Sequence, residues 1–241
     1  MTMRVLQSEH QIADARREMI SRDISAIDES LLGRAKEFLK RRGLADTLVI
    51  GDFVKSWDVL ATVKFLEERV GKDRPILDMG CYASEIVVAL HKAGYRNLTG
   101  VDLNPRLRNM PFKDTIRYEI GDFMSTPFGD GAFDAITSIS VIEHGFDGPR
   151  LLKETGRLLK PGGFFVASFD YWPEKIDTRG DRFFGMDWLI FSRDDVRALI
   201  EEAAKHGLYP AGDVQFDGED KAIRHGGYQY TFGWLVLEKR A

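Results

Sequence analysis

The chain has 241 residues, with 34 Lys and Arg against 38 Asp and Glu and a formal net charge of −4. That length predicts one large domain, or one domain with an appendage. With 44% hydrophobic and 30% charged residues the composition is globular, which excludes disordered and fibrous classes. The mild acidity argues against a protein that mainly holds a phosphate backbone, so no nucleic-acid partner is expected. No apolar run approaches the roughly 20 residues of a membrane-spanning helix. The first twenty residues mix Arg4, Glu9, Asp14, Arg16 and Arg17 among apolar ones, unlike a secretory signal. The single cysteine, Cys81, cannot form an internal disulfide, which fits a reducing compartment. The expectation is a cytoplasmic protein without membrane association.

Apolar positions at helical spacing predict helices over 9–22 and 28–42. The second carries Leu31, Leu32, Ala35, Phe38 and Leu39 and is closed by Gly43. A third, over 56–70, places Val59, Leu60, Val63, Leu66 and Val70 on one stripe. Residues 1–73 therefore read as a helical extension or cap. After Pro75 short apolar runs alternate with amphipathic segments, and residues 74–241 read as the main domain. Strands are predicted over 76–79, 98–101, 116–120, 133–139 and 164–169, with helices over 84–93 and 149–159. Lys160-Pro161-Gly162-Gly163 makes a turn before the fifth strand. Ser192 with Asp195 forms a plausible capping box for a helix that ends at Gly207, and strands over 214–216 and 230–237 follow. Strand and helix in alternation predict an α/β fold with a doubly wound, mostly parallel sheet. Ligands of such sheets sit beyond the carboxyl ends of the strands.

Three acids stand at those ends: Asp78 on the first strand, Asp102 on the second, and Asp122 after the third, spaced by 24 and 20 residues. One strand-end Asp is usually a cap or turn residue. Three on successive strands favour a ligand, and the carboxylate on the second strand can accept from vicinal ribose hydroxyls.

These residues resemble the class I S-adenosylmethionine-dependent methyltransferases, in particular the small-molecule enzymes of the type 11/12 kind. Ile76-Leu77-Asp78-Met79-Gly80-Cys81 is similar to the family's glycine motif, and Gly100-Val101-Asp102-Leu103-Asn104-Pro105 to its second-strand motif. Gly121-Asp122-Phe123 resembles the adenine-binding turn. Phe133-Asp134-Ala135-Ile136 and Ser140-Val141-Ile142-Glu143-His144 resemble the fourth strand and its exit loop, and Leu158 to Gly163 the turn into the fifth. The resemblance covers roughly Pro75 to Phe169, and six motifs in order make it specific. It implies a Rossmann-like fold, S-adenosylmethionine as cofactor and methyl transfer to a small-molecule acceptor. It places Asp78, Gly80 and Cys81 at the methionine end, Asp102 and Leu103 at the ribose, Asp122 and Phe123 at the adenine, and Ser138 and Ile139 near the sulfonium. Trp57 begins a helix that often covers the cofactor in this family.

One departure is visible. Where the family reads D-x-G-x-G-x-G, Tyr82 and Ser84 replace the second and third glycines. If Tyr82 needs φ > 0, strain of about 1–3 kcal/mol is expected there, unless the loop shifts and lays the ring beside the methionine moiety.

Nine of the 27 aromatics fall between Phe164 and Phe191. Tyr171, Trp172, Phe183, Phe184 and Trp188 lie beyond the fifth strand, so residues 170–191 read as an aromatic lid loop. In-line methyl transfer to a hydroxyl needs a base, and His144 is the leading candidate, with Tyr171, Asp170 and His225 as competitors. No Cys or His spacing suggests a metal. The reading is transfer to a small polar acceptor, a hydroxyl of sugar or secondary-metabolite type being favoured. The alternatives are an N-methyltransferase, or a protein of this fold that binds partners and has lost transfer. Absence of G-x-G-x-x-G after the first strand sets aside a nicotinamide enzyme.

Overall fold

The structure is a computed structural model that describes residues 2–28, 48–145, 147–183 and 185–241, with residues 30, 33, 38 and 42 besides. The helix expected over 28–42, through Leu31, Leu32, Ala35, Leu39 and the closing Gly43, lies outside the described residues. So does Phe184 of the aromatic segment.

From the N-terminus the elements are β1 (Met3–Val5), α1 (Glu9–Ser21), α2 (Ser56–Arg69), β2 (Ile76–Met79), α3 (Ile86–Lys92) and β3 (Leu98–Asp102). Then come β4 (Ile116–Ile120), β5 (Phe133–Ile139), α4 (Gly148–Leu158) and β6 (Leu159–Tyr171). A two-strand hairpin, β7 (Arg182–Phe183) and β8 (Met186–Asp187), precedes α5 (Arg193–Ala204), β9 (Leu208–Pro210), β10 (Ile223–His225) and β11 (Tyr228–Lys239). The main sheet runs β1-β11-β6-β5-β2-β3-β4, with β9 and β10 also on β11. Strands β4, β3, β2, β5 and β6 are parallel, and β11 is antiparallel to β6 and β1. The chain leaves β2 toward β3 and β4, then returns to build β5 on the other flank. That reversal opens a crevice at the carboxyl ends of β2 and β5, as doubly wound sheets require.

Period-two alternation divides the core. Ile76, Ala135, Val166, Trp234 and Val236 join Met19 of α1, Val63 and Leu66 of α2 and Val87 and Leu90 of α3 on one face. Their neighbours Leu77, Ile136, Phe165, Leu235 and Leu237 join Leu151 and Leu152 of α4 and Val196 and Leu199 of α5 on the other. The predicted capping box forms: the Asp195 amide donates to the Ser192 hydroxyl at 3.2 Å, and the Asp195 carboxylate accepts from the Ser192 amide at 2.8 Å.

Three expectations are corrected. Val214 makes one isolated bridge to Met3, and the strand in that region is β9, paired with β11. The turn at Lys160–Gly163 lies inside β6, where Gly162 takes φ +80° and the register with β5 shifts opposite Phe133 and Ala135. The extension also contributes β1, which pairs with β11 through Met3↔Leu235 and Val5↔Gly233. A three-residue strand whose partner is at the far end of the chain leaves no local signal.

The extension is tied down by one buried ion pair. Arg16 of α1 donates from both terminal nitrogens to the Glu85 carboxylate at 3.0 and 2.8 Å, and from Nε to the Ser56 hydroxyl at 3.0 Å. Glu85 also accepts from the Ala26 amide at 2.8 Å. Both partners are nearly water-free, at 3% and 1% side-chain exposure. Removing one side of such a pair leaves an uncompensated buried charge. Arg16→Met is expected to lower unfolding free energy by about 3–5 kcal/mol, measured by urea titration; a loss below about 1 kcal/mol would show that Glu85 finds water or another donor.

Candidate functional site

Two groups of side chains meet at the crevice. The first is carried by the turns after β2 and β3. Asp78 is 1% exposed on β2. Its Oδ1 accepts from the Thr137 hydroxyl of β5 at 2.7 Å, and its buried Oδ2 has no hydrogen-bond partner among the described residues. Burial pushes this carboxyl up to about 7; the Thr137 hydroxyl opposes the rise, the Asp102 charge adds to it, and the Ser84 hydroxyl opposes it. Asp102, half-buried, accepts from the Tyr82 amide at 3.0 Å and the Asn104 amide at 2.8 Å. It therefore links the glycine turn to its own strand end. Gly80 takes φ +77°, where a Cβ would meet Val141 at 2.5 Å.

The strain expected at Tyr82 does not arise. The left-handed residue of the turn is Ala83, at φ +61°, one position further on. That conformation costs Ala about 1–2 kcal/mol, and the Ala83 carbonyl accepts from the Gly51 amide at 2.8 Å. Cys81 sends its side chain inward: its Sγ lies 2.5 Å from where a Cβ on Gly100 would sit, and burial pushes its thiol up. Only its backbone is left to face a ligand. Leu103 is exposed beside Asp102. Asp122 accepts from Arg150 at 3.0 Å and from the Met124 amide at 2.8 Å, so its carboxylate is already engaged, and half-buried Phe123 packs on the α4–α5 core. Ser138 and Ile139 are buried at the end of β5.

The second group lines a chamber of about 940 Å³. It is assembled from Glu9, His10 and Ile12 of α1, residues 52–55, Ser140, Glu143 and His144 after β5, Asp170 of β6, Phe183 and Trp188 of the aromatic segment, residues 222–225, and Tyr230 and Phe232 of β11. Its buried floor includes Glu143, Asp170, Trp188, Tyr230 and Phe232, whereas Glu9, His10, Asp52 and His225 are exposed at its rim. Trp188 donates from Nε1 to Asp170 Oδ2 at 2.8 Å. Lys55 sits 3.5 Å from Asp170 Oδ1, and its ammonium lies 3.5 Å from the Phe232 ring centre.

The loop after β5 is held from below and above. Ser140 adopts φ +54°, and its amide donates to the Ser168 hydroxyl at 3.1 Å, which donates in turn to Asp58 at 2.6 Å. From above, the Leu189 amide donates to the Glu143 carbonyl at 2.9 Å, the Gly145 amide donates to the Asp187 carbonyl at 2.8 Å, and His144 forms a bridge with Trp188. Burial dominates the titration of this region. It pushes Asp58 up to about 6, with the nearby Lys55 ammonium opposing. It holds Glu143 well above the carboxylate range, with Asp170 adding. It drives the His144 imidazole below its ordinary value, against the pull of Asp170.

Tyr171 is a correction. Its side chain is fully buried beside Phe169 and Phe191, and its hydroxyl donates to the Phe216 carbonyl at 2.7 Å. Alternation along β6 turns Asp170 toward the chamber and Tyr171 to the opposite face. Trp57 is half-buried between the α1–α3 core and the aromatic cluster. Sequence reasoning missed Tyr230, Phe232 and the α1 residues. Alternation on β11 puts the two aromatics on one side, but nothing local points α1 at β11. Among the described residues no group of three His, Cys, Asp or Glu side chains is arranged to hold a metal, and no helix is long and apolar enough to cross a membrane.

Residues 77–167 match a family model described as a methyltransferase domain. The chain is 33% identical over 102 residues to a demethylmenaquinone methyltransferase of Symbiobacterium thermophilum, covering 38% of this chain and 41% of that protein. It is 26% identical over 103 residues to norajmaline N-methyltransferase of Rauvolfia serpentina, covering 39% of this chain and 35% of that protein. It thus spans well under half the length of these curated relatives. In structure it is similar to geranyl diphosphate C-methyltransferase of Streptomyces coelicolor A3(2), solved with S-adenosyl-L-homocysteine, at a TM-score of 0.53 and 20% identity over 74% of this chain and 78% of the other. That likeness establishes the fold.

Asp58 and Asp78 both hold their protons more firmly folded than at the ordinary carboxyl value of 3.8. The folded state then binds more protons than the unfolded one between about pH 4 and pH 7, so their contribution to stability falls as pH rises through that window. Tm is expected to decline less steeply from about pH 5 to pH 8 in Asp58→Asn and Asp78→Asn than in the unmodified chain. Equal slopes in all three would show that these carboxyls ionise in the fold without penalty.

Proposed function

We propose that this chain, whose residues 77–167 match a methyltransferase domain, is a class I S-adenosylmethionine-dependent methyltransferase that moves a methyl group to a small polar acceptor, with a hydroxyl oxygen as the favoured target. The observation that carries the reading is the pairing of two half-sites at one crevice: the Asp78–Gly80–Asp102 turns and the chamber behind Ser140 and His144. Residues 1–73 serve as a cap, residues 74–241 as the catalytic unit, and 170–191 as the lid over the acceptor.

The crevice suits S-adenosylmethionine on two counts. Asp78 Oδ2 is a buried carboxylate oxygen lacking a donor, which the ammonium of an amino-acid end would supply. Asp102 is half-exposed, and each of its oxygens has a lone pair beyond the backbone amides it already accepts, free for ribose hydroxyls. The arrangement at Asp122 supports adenine less directly, since Arg150 occupies one oxygen. Held by Asp78 and Asp102, S-adenosylmethionine would supply an electrophilic methyl for an acceptor oxygen, with sulfur as the leaving atom that keeps the bonding pair.

The protein's part is alignment and proton removal. His144 is the base: burial keeps its imidazole neutral at pH 7, so it can take the hydroxyl proton as the oxygen attacks. The Ser140–Ser168–Asp58 chain fixes the loop that carries it. Phe183, Trp188 and Tyr230 wall the acceptor from water. The relatives include enzymes named for N- and C-transfer, and the choice of oxygen rests on the base and on the absence of an Asn-Pro-Pro-Tyr-type motif at Ser138–Val141.

Calorimetric titration with S-adenosylhomocysteine should give a Kd in roughly the micromolar range, weakened about tenfold or more by Asp102→Ala. Absence of binding up to about millimolar would move the weight to a partner-binding protein that has lost transfer. With a panel of hydroxylated small molecules, His144→Ala should keep that affinity and lose about 10²-fold or more in kcat. The unmodified enzyme's rate should rise with pH on a limb lying below the ordinary imidazole value, and that limb should vanish in the variant. Full turnover by His144→Ala would overturn the base assignment.

A further inference from the structure

Behind His144 the chamber holds more carboxylate than cation. Glu143 and Asp170 are the buried acids of its lining and Asp58 lies near enough to act on Glu143, while of the lining Lys and Arg side chains Lys55 is half-buried beside Asp170 and Arg224 is exposed. Asp58 is fully served and Asp170 in part. Asp58 accepts from the Val59 amide at 2.9 Å and the Ser168 hydroxyl at 2.6 Å. Asp170 accepts from Trp188 on Oδ2, while its Oδ1 has no hydrogen bond among the described residues and is paired only with Lys55 at 3.5 Å. Glu143 differs from Asp170 in having no ion pair among the described residues: it is 1% exposed, it lines the chamber, and its Oε2 has no hydrogen-bond partner among those residues. A buried carboxyl oxygen without a donor costs roughly 1–3 kcal/mol, more if it is ionised. Such a group in a natural protein calls for an explanation, and its place in the chamber lining favours a ligand.

The chemistry of the walls narrows the ligand. Trp188 stands at the centre of an aromatic cluster, with Tyr230 at 5.8 Å, Phe183 at 4.9 Å and His225 at 6.1 Å between ring centres. Aromatic faces beside an unmatched carboxylate attract organic cations and give little to anions. Lys55 already uses the Phe232 face in this way. We infer that the acceptor carries a protonated amine and that Glu143 anchors it at the chamber floor.

This inference rests on the methyltransferase reading and sharpens it. An ammonium has no lone pair, so the amine held by Glu143 cannot be the atom that is methylated. The nucleophile is a second group on the same molecule, the hydroxyl presented to His144, and the acceptor is an amino alcohol with an apolar body. Burial, with Asp170 adding, disfavours a lone Glu143 anion, so an ammonium both supplies the missing donor and restores the charge balance.

The test uses the full-length chain, with and without saturating S-adenosylhomocysteine, and three probes of one skeleton: 2-phenylethylamine, 2-phenylethanol and N-acetyl-2-phenylethylamine. Calorimetry should show the amine binding about tenfold or more tighter than either neutral probe. In Glu143→Gln, which keeps shape and hydrogen bonding but removes the charge, that preference should shrink to about twofold or less. Neutral probes binding as well as the amine in the unmodified chain would overturn the inference, even if Glu143→Gln fails to fold. So would a Glu143→Gln variant that retains the amine preference. Amine selectivity without S-adenosylhomocysteine binding would leave the anchor standing and sink the methyltransferase reading; the reverse result would sink the anchor alone.

Discussion

The Arg16–Glu85 pair is the constraint on which the site depends. Glu85 follows the glycine turn directly, and Arg16 lies on the helix that walls the chamber. Through Ser56 the same guanidinium also fixes the start of α2, next to Lys55. One buried contact therefore sets the distance between the cofactor turn, the cap and the cation that neutralises Asp170. Buried ion pairs contribute little net stability relative to apolar packing, because desolvation offsets attraction. Their use is geometric: bidentate Arg–carboxylate bonding has one good arrangement, and here that arrangement joins three segments far apart in sequence.

The same desolvation that makes this pair costly to break organises the chemistry. Burial raises carboxylic acids and lowers imidazoles, so neighbouring groups in one dry loop move toward their neutral forms. A neutral His144 can accept a proton, and the Glu143 Oε2 has no hydrogen-bond partner among the described residues. Neither property needs a special residue; both follow from placing a polar loop between the end of β5 and the aromatic segment. The bonds from Leu189 and Gly145 keep that loop and the lid together.

Legibility in the sequence divided along the same line. Asp78, Asp102 and the turn glycine were readable because each is a local event at a strand end, and strand ends are marked by alternation and punctuation. Tyr171 was misplaced because counting aromatics ignores which face a residue takes; one step along β6 exchanged it for Asp170. The strain expected at Tyr82 was assigned by its place in the glycine pattern, whereas the turn puts its left-handed residue at Ala83. Edge strands β1 and β10 left no signal, since two or three residues cannot display a period and their partner, β11, lies elsewhere in the chain.

The chamber shows why acceptor chemistry resists reading from motifs. Its floor takes Glu143 from one loop, Asp170 from β6, Trp188 from the lid, Tyr230 and Phe232 from β11, and Lys55 from the segment before α2. No two of these segments share a local pattern, and only the antiparallel pairing of β11 with β6 brings Phe232 opposite Asp170. The cofactor half is a property of the βα units within residues 77–167, the stretch that matches the methyltransferase domain model. The acceptor half is a property of the closure of the whole sheet. A change of register between β11 and β6 would leave every cofactor motif intact while dismantling the charge balance around Glu143. Strand pairing at the sheet's antiparallel end therefore assembles the chamber from the part of the sequence that carries the fewest recognisable motifs.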